Sequence, residues 1–224
     1  MSLLDAMRDL CFGTACVGCG RPGRPLCVAC QRDLPTTGVI SWPHPTPAGL
    51  RLPMAGGDYG GLLEAMVLAH KERQVLALAA PLGRVLAGVV GDVLALADVR
   101  EPTSLVPVPS RRPAVRERGH DPMLRVSRIA AACLRRSGSR VQVQPVLRIG
   151  RVRDQAGLNR VERAANLAGS MRLRREPHGP VVVVDDVITT GSTLREAQRA
   201  LEAASVWVVG HAAVSATRRR IRDD

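Results

Sequence analysis

Rings and lysine are the two shortages of this 224-residue chain. Phe12, Trp42, Tyr59 and Trp207 are its whole aromatic set, 2% of the residues. A core without rings has to be filled by Val, Leu, Ala and Ile. That composition suits buried parallel strands flanked by helices, because strands covered on both faces read as continuous β-branched runs. The same shortage weighs against binding of single-stranded nucleic acid by base stacking, which uses aromatic side chains. Lys71 is the only lysine, so arginine carries almost all the positive charge behind the net +12. The arginine fork grips phosphate through two parallel hydrogen bonds, which points to a phosphorylated ligand or to nucleic acid.

The N-terminus MSLLDAMRDL has neither the basic region nor the unbroken apolar run of a secretion signal, and the chain reads as cytoplasmic. Pro81, Arg84 and Asp92 interrupt the longest apolar stretch, Val75 to Val99, which therefore reads as buried helix rather than a membrane span. The length and a hydrophobic content of 46% suffice for one α/β domain with a small appendage.

Five of the six cysteines lie in the first thirty residues, and five prolines (35, 43, 45, 47 and 53) follow. This divides the chain into an N-terminal module (1–34), a Pro-rich linker (35–53), a main domain (54–217) and a basic tail (218–224). In the main domain, Leu62–Lys71, Val75–Leu96, Leu124–Leu134 and Leu194–Ala203 read as helices. Ser104–Val108, Val141–Leu147, Val181–Val184 and Val206–Val214 read as extended. Their alternation predicts an α/β fold, a mainly parallel sheet with helices on both faces.

Cys16-Val17-Gly18-Cys19-Gly20 and Cys27-Val28-Ala29-Cys30 are two Cys-x2-Cys knuckles seven residues apart. Two disulfides would use the same residues, but the spacing and a reducing compartment favour a closed tetrahedral zinc site of Cys16, Cys19, Cys27 and Cys30. Four protein ligands leave no position for water, so the role of such a site is structural, and the metal would supply most of the folding free energy of so small a module. Cys11 is a less well spaced substitute, and Cys133 reads as a core residue of its helix.

The most informative string is VVVVDDVITTGST, Val181 to Thr193. Where a parallel strand turns into a helix, exposed amides and the helix dipole receive a phosphate. Thr189, Thr190, Ser192 and Thr193 add hydroxyls, and Gly191 lets the backbone approach the ligand. Asp185 and Asp186 would repel a phosphate but accept hydrogen bonds from vicinal hydroxyls. Acids for a sugar beside amides for a phosphate indicate a ribose 5-phosphate. The plainer reading is a buried strand ending in an ordinary turn, with Ser192 as the helix N-cap.

This string resembles, through all thirteen positions, the motif by which type I phosphoribosyltransferases bind 5-phosphoribosyl-1-pyrophosphate (PRPP). The resemblance implies that Asp185 and Asp186 hold the ribose hydroxyls and that Val187, Ile188, Thr189, Thr190, Gly191, Ser192 and Thr193 form the 5-phosphate loop. Further segments are similar to the ComF family of phosphoribosyltransferase-like proteins, named after competence for DNA uptake. They are the four-cysteine module, Asp58-Tyr59-Gly60-Gly61 leading to His70-Lys71, VPVPSRRPAVRERG, Asp154-Gln155-Ala156-Gly157-Leu158 with Glu162-Arg163 and Asn166, and the PRPP motif itself. One departure is visible: Arg118-Gly119-His120-Asp121 stands where that family reads Arg-Gly-Phe-Asn.

The resemblance further implies a pyrophosphate loop at Pro109 to Arg112, with Arg111, Arg112, Arg116 and Arg118 neutralising charge, and a closing loop over Arg148 to Arg163 with Gln155 and Arg163. Lys71 matches a family position and is grouped by the resemblance with these pyrophosphate and closing-loop residues as a ligand candidate; the alternative is a cation complementing the end of its helix. The implied reaction is displacement of pyrophosphate from PRPP by an acceptor, with Mg²⁺ on the pyrophosphate and structural zinc in the module. A non-catalytic protein handling single-stranded DNA and a PRPP-sensing regulator are the alternatives.

Overall fold

The computed structural model describes residues 15–110, 119–150 and 169–217. Six strands form one sheet: β1 (Val39–Ile40), β2 (Pro53–Ala55), β3 (Thr103–Pro107), β4 (Val141–Val143), β7 (Val181–Ile188) and β8 (Val208–Ala216), in the order β1-β2-β8-β7-β3-β4. Every neighbouring pair is parallel except β1 with β2. Two further strands, β5 (Leu147–Ile149) and β6 (Met171–Leu173), pair antiparallel as a separate ribbon. The helices are α1 (Val28–Arg32), α2 (Gly61–Lys71), α3 (Ala79–Leu96), α4 (Pro122–Arg136) and α5 (Ser192–Glu202).

The four-valine run in β7 is explained by where it sits. Successive strand residues point to opposite faces. Val182 and Val184 join the apolar cluster formed with α2, α3 and α4, whereas Val181 and Val183 join the one formed with α5 and the β5–β6 ribbon. All four are fully buried, so the strand has no polar face to show. The predicted α/β architecture, a mainly parallel sheet with helices on both faces, is what the chain adopts.

Element ends differ from the sequence reading in instructive ways. β7 continues past Val184 through both acids, because Val187 and Ile188 still pair with Ser215 and Ala216 of β8. The stretch Val141–Leu147 is not one strand: β4 ends at Val143, buried Gln144 bonds to β3 through its amide (Leu105 O, 2.9 Å) and its side chain (Ser104 Oγ, 2.7 Å), and Leu147 starts the ribbon. Within the Pro-rich stretch, Val39–Ile40 forms the sheet's edge strand, and the Gly38 amide just before it donates to Asp92 of α3 at 2.6 Å.

The segment Leu76–Leu96 is long and apolar enough to cross a membrane by length and composition, with a mean hydropathy of 1.6. Here Leu82, Val85, Leu86, Val89, Val90 and Val93 are buried in the first apolar cluster, together with residues of β8 and α4. Pro81 falls in the first turn of α3, where a missing N–H removes no helical bond.

Small residues let other chain segments cross α3 closely. A Cβ at Gly88 would fall on the carbonyl oxygen of Thr36, whereas one at Gly91 would meet only Leu134 Cδ2 at an ordinary 3.8 Å. Gly88→Ala is therefore expected to destabilise the fold by about 1–3 kcal/mol through overpacking. Gly91→Ala should be neutral or stabilise by up to about 1 kcal/mol through helix propensity. Urea denaturation of the two variants checks this, and equal effects would contradict it.

Candidate functional site

The site lies at the C-terminal edge of the parallel sheet. β7 delivers Asp185 and Asp186, the chain turns at 189–191, and α5 begins at Ser192. The N-cap is Gly191 rather than Ser192, in the left-handed region at φ 71° and without any side-chain cap. Gly191 brings no capping side chain of its own; the Ser192 amide donates to Thr190 Oγ1 at 3.4 Å, and the helix dipole faces the acid pair's end of the sheet. A side chain at Gly191 would be strained twice over: by its φ, and by Pro43 Cγ, which an added Cβ would approach to 2.7 Å. Thr190 Oγ1 donates to Ser192 Oγ at 3.0 Å, which keeps two of the loop's hydroxyls side by side.

The two acids are in different states. Burial, with the negative charge of Asp186 beside it, pushes Asp185 up to about 8, although it accepts from the Asp186 amide at 2.9 Å. Asp186 instead holds Lys71 Nζ at 2.6 Å through Oδ2. Burial pulls the Lys71 ammonium down, but Asp186 in contact and Asp185 beyond it outweigh that and hold it above the ordinary lysine range. The pair thus presents one neutral acid and one ion-paired carboxylate.

Lys71 is the last residue of α2. The start of that helix is tied to the end of β8 through Tyr59 N–H, which donates to Ala216 O at 2.7 Å. Its last turn carries His70, whose ring meets His120 edge-on at 6.1 Å. α2 therefore spans the C-terminal edge of the sheet from β8 to the approach to α4. Burial lowers His70 to about 4, with His120 and Arg125 contributing.

His120 and Asp121, where the resemblance led to an expectation of Phe and Asn, both have partners in the fold. His120 supplies a ring against His70, and Asp121 caps α4, accepting from Leu124 N–H at 3.1 Å and from Ser110 Oγ at 3.3 Å. Asn and Asp are equally good N-caps.

A strap from the Pro-rich stretch braces the turn at 189–191 from outside. Pro43, Pro47 and Leu50 crowd Gly191. Arg195 Nε donates to Ala48 O at 2.9 Å and Gln198 Nε2 to Gly49 O at 2.8 Å. Gln198 Oε1 accepts from Arg51 N–H at 3.0 Å and from His211 Nε2 at 2.9 Å. Nothing in the sequence singled out Gln198 or His211, because their partners lie far along the chain.

One strand over, a cavity of about 550 Å³ opens beside the end of β3, lined by Pro109, Ser110, Asp121 and Leu124 with Arg148 and Arg174. Pro109 and Ser110 are the described part of the predicted pyrophosphate loop. Arg111, Arg112, Arg116, Arg118, Gln155 and Arg163 lie outside the described residues.

Cys16, Cys19, Cys27 and Cys30 come together as the spacing predicted, their four sulfurs within 4.8 Å of one another and all free of disulfides. Thiolates about 2.3 Å from one tetrahedral ion stand roughly 3.8 Å apart; Cys19 and Cys27 Sγ are 3.6 Å apart. Burial raises the Cys16 thiol, but the amides of Cys27, Cys19 and Gly18 overcome it and bring it to about 6. Cys30, sharing its proton with Cys27, is pushed up to about 12. Four such sulfurs are deprotonated together only around a cation, so the set fits a metal ion. The module is not detached: Cys16 and Cys27 are buried in the same apolar cluster as Leu63 and Met66 of α2.

A carboxyl whose folded pKa lies above its unfolded value stabilises the fold in acid, and that contribution is lost as pH rises toward the folded value. For Asp185 the loss runs from its ordinary 3.8 up to about 8. Asp185→Asn is expected to match the wild type only below about pH 4 and to become progressively the more stable protein as pH rises to about 8 in urea denaturation. A difference between the two proteins that does not change with pH would contradict this.

No curated protein matches the chain. Residues 127–224, which include β4, β7, α5, β8 and the loop between the acids and Gly191, match the family model of the phosphoribosyl transferase domain.

Proposed function

We propose that this chain binds PRPP at the C-terminal edge of β7 and transfers its phosphoribosyl group to an acceptor with release of pyrophosphate, as a protein of the ComF type with zinc in the four-cysteine site. The observation that carries the reading is the acid pair followed, at the end of the same strand, by a left-handed glycine turn into α5. A ribose ring offers two neighbouring hydroxyls, each both donor and acceptor. Neutral Asp185 can donate to one and ionised Asp186 can accept from the other, while the amides and hydroxyls from Thr189 to Thr193 receive the 5-phosphate.

In the reaction the bond from C1 to the pyrophosphate oxygen breaks, and pyrophosphate leaves with the bonding electrons. The acceptor's lone pair then closes on C1. The residues present contribute positioning and charge rather than a covalent intermediate. Asp186 is already ion-paired and Asp185 is held as an acid, so neither is a vacant ligand for a hard cation. Mg²⁺ fits as a cation carried in by the pyrophosphate, where it would neutralise the leaving group. Arg111, Arg112, Arg116 and Arg118, which follow Ser110 in the sequence, are assigned to the same charge. Gln155 and Arg163, between β5 and β6, are assigned to closure.

Calorimetric titration of PRPP with Mg²⁺ is expected to give saturable binding that the folded Asp185→Asn, Asp186→Asn double variant loses. Absence of binding by the folded wild type would sink the reading. The purified protein is expected to carry one zinc ion per chain by elemental analysis, lost together with thermal stability in a Cys16→Ser, Cys19→Ser variant. Full metal retention by that variant would remove the four-cysteine assignment.

A further inference from the structure

Every cationic side chain but one is arginine, and the one exception touches the acid pair. The difference is chemical. An arginine fork locks onto a carboxylate in one bidentate geometry. A lysine ammonium is a compact charge with three donors on a rotatable stem and can pass between two anions. Lys71 has room to do so: its side chain is 39% exposed, against 21% for its partner Asp186.

We propose that Lys71 determines ligand specificity by leaving Asp186 for the pyrophosphate when PRPP binds, so that the site tells PRPP from ribose 5-phosphate. The inference rests on the ribose-phosphate reading of the site. A hydroxyl that takes the Oδ2 position on Asp186 is neutral and displaces an ammonium, leaving that charge without its partner in a half-buried place. The ligand therefore has to supply another anion within reach of the lysine stem. In PRPP the pyrophosphate at C1 lies on the same face of the ring as the 2- and 3-hydroxyls, so the acid that takes a hydroxyl and the ammonium bound to that acid face the same side of the sugar. Ribose 5-phosphate brings only a hydroxyl at C1 and offers the displaced ammonium nothing. Its phosphate is held at the opposite end of the sugar, at the turn into α5. Asp185, Glu72 and Tyr59 are the other titratable groups near the ammonium. None of them replaces a lost carboxylate partner: Asp185 is held as an acid, and Tyr59 is raised above the ordinary phenol value, chiefly by burial.

The test is titration of wild type and Lys71→Met with Mg²⁺-PRPP and, separately, with ribose 5-phosphate. The variant is expected to bind PRPP more weakly and ribose 5-phosphate more tightly, shrinking the ratio of the two affinities by about tenfold or more. A ratio that stays the same in a folded variant overturns the role of Lys71 and leaves the ribose-phosphate site standing. A wild type that binds neither ligand overturns the reading of the site and this inference with it. The wild type alone gives a second readout, independent of whether the variant folds. With ζ-¹⁵N-lysine labelling, a single ammonium signal reports on Lys71. It should shift on saturation with PRPP and stay near its free position with ribose 5-phosphate, and equal shifts with both would overturn the proposal.

Discussion

Two adjacent carboxylates at the end of a buried strand cannot both stay charged without help, and the site is arranged around that constraint. The sheet leaves the acids only partly open to water, because β7 is covered on both faces up to Val184 and still pairs with β8 beyond it. One acid escapes the cost by keeping its proton, and the other by holding the only lysine in the chain. The difference between the two acids follows from a single ammonium reaching one side of the pair. It gives the edge of the sheet a donor and an acceptor next to each other, which two equally charged carboxylates would not provide.

Much of the surrounding structure keeps that arrangement in place. α2 must bring Lys71 over β7, and its position is fixed at one end by the Tyr59 amide on β8 and along its length by the apolar cluster it shares with Cys16 and Cys27. The four-cysteine module is thereby part of the wall behind the lysine rather than a separate bead on the chain. On the other side of the sheet, the strap from Pro43 to Arg51 presses on Gly191 and is bonded to α5 through Arg195 and Gln198. Buried His211, lowered to about 3 by burial and by Arg195, stays neutral and holds the Gln198 amide in one orientation.

The parts legible in the sequence were those whose physics is local. Four valines in a row cannot be a half-exposed strand, a Cys-x2-Cys pair brings its own geometry, and an acid pair ahead of a Thr-Thr-Gly-Ser turn carries its chemistry within nine residues. What escaped is held by distant partners. Pro53–Ala55 is a strand only because β8 lies beside it, and Val39–Ile40 only because β2 does. Lys71 stood out by being alone, yet its partner is 115 residues away, and spacing gives no hint of the pairing. The His70–His120 contact was equally hidden, because the two rings are far apart in the chain.

A crystal structure of the protein grown with Mg²⁺ and PRPP tests the central claim most directly. The account predicts the 5-phosphate at the turn of Thr189–Thr193 and the ribose hydroxyls on Asp185 and Asp186, with Lys71 turned toward the pyrophosphate. A ligand bound elsewhere on the chain, with the Lys71–Asp186 pair intact and the turn empty, would contradict it.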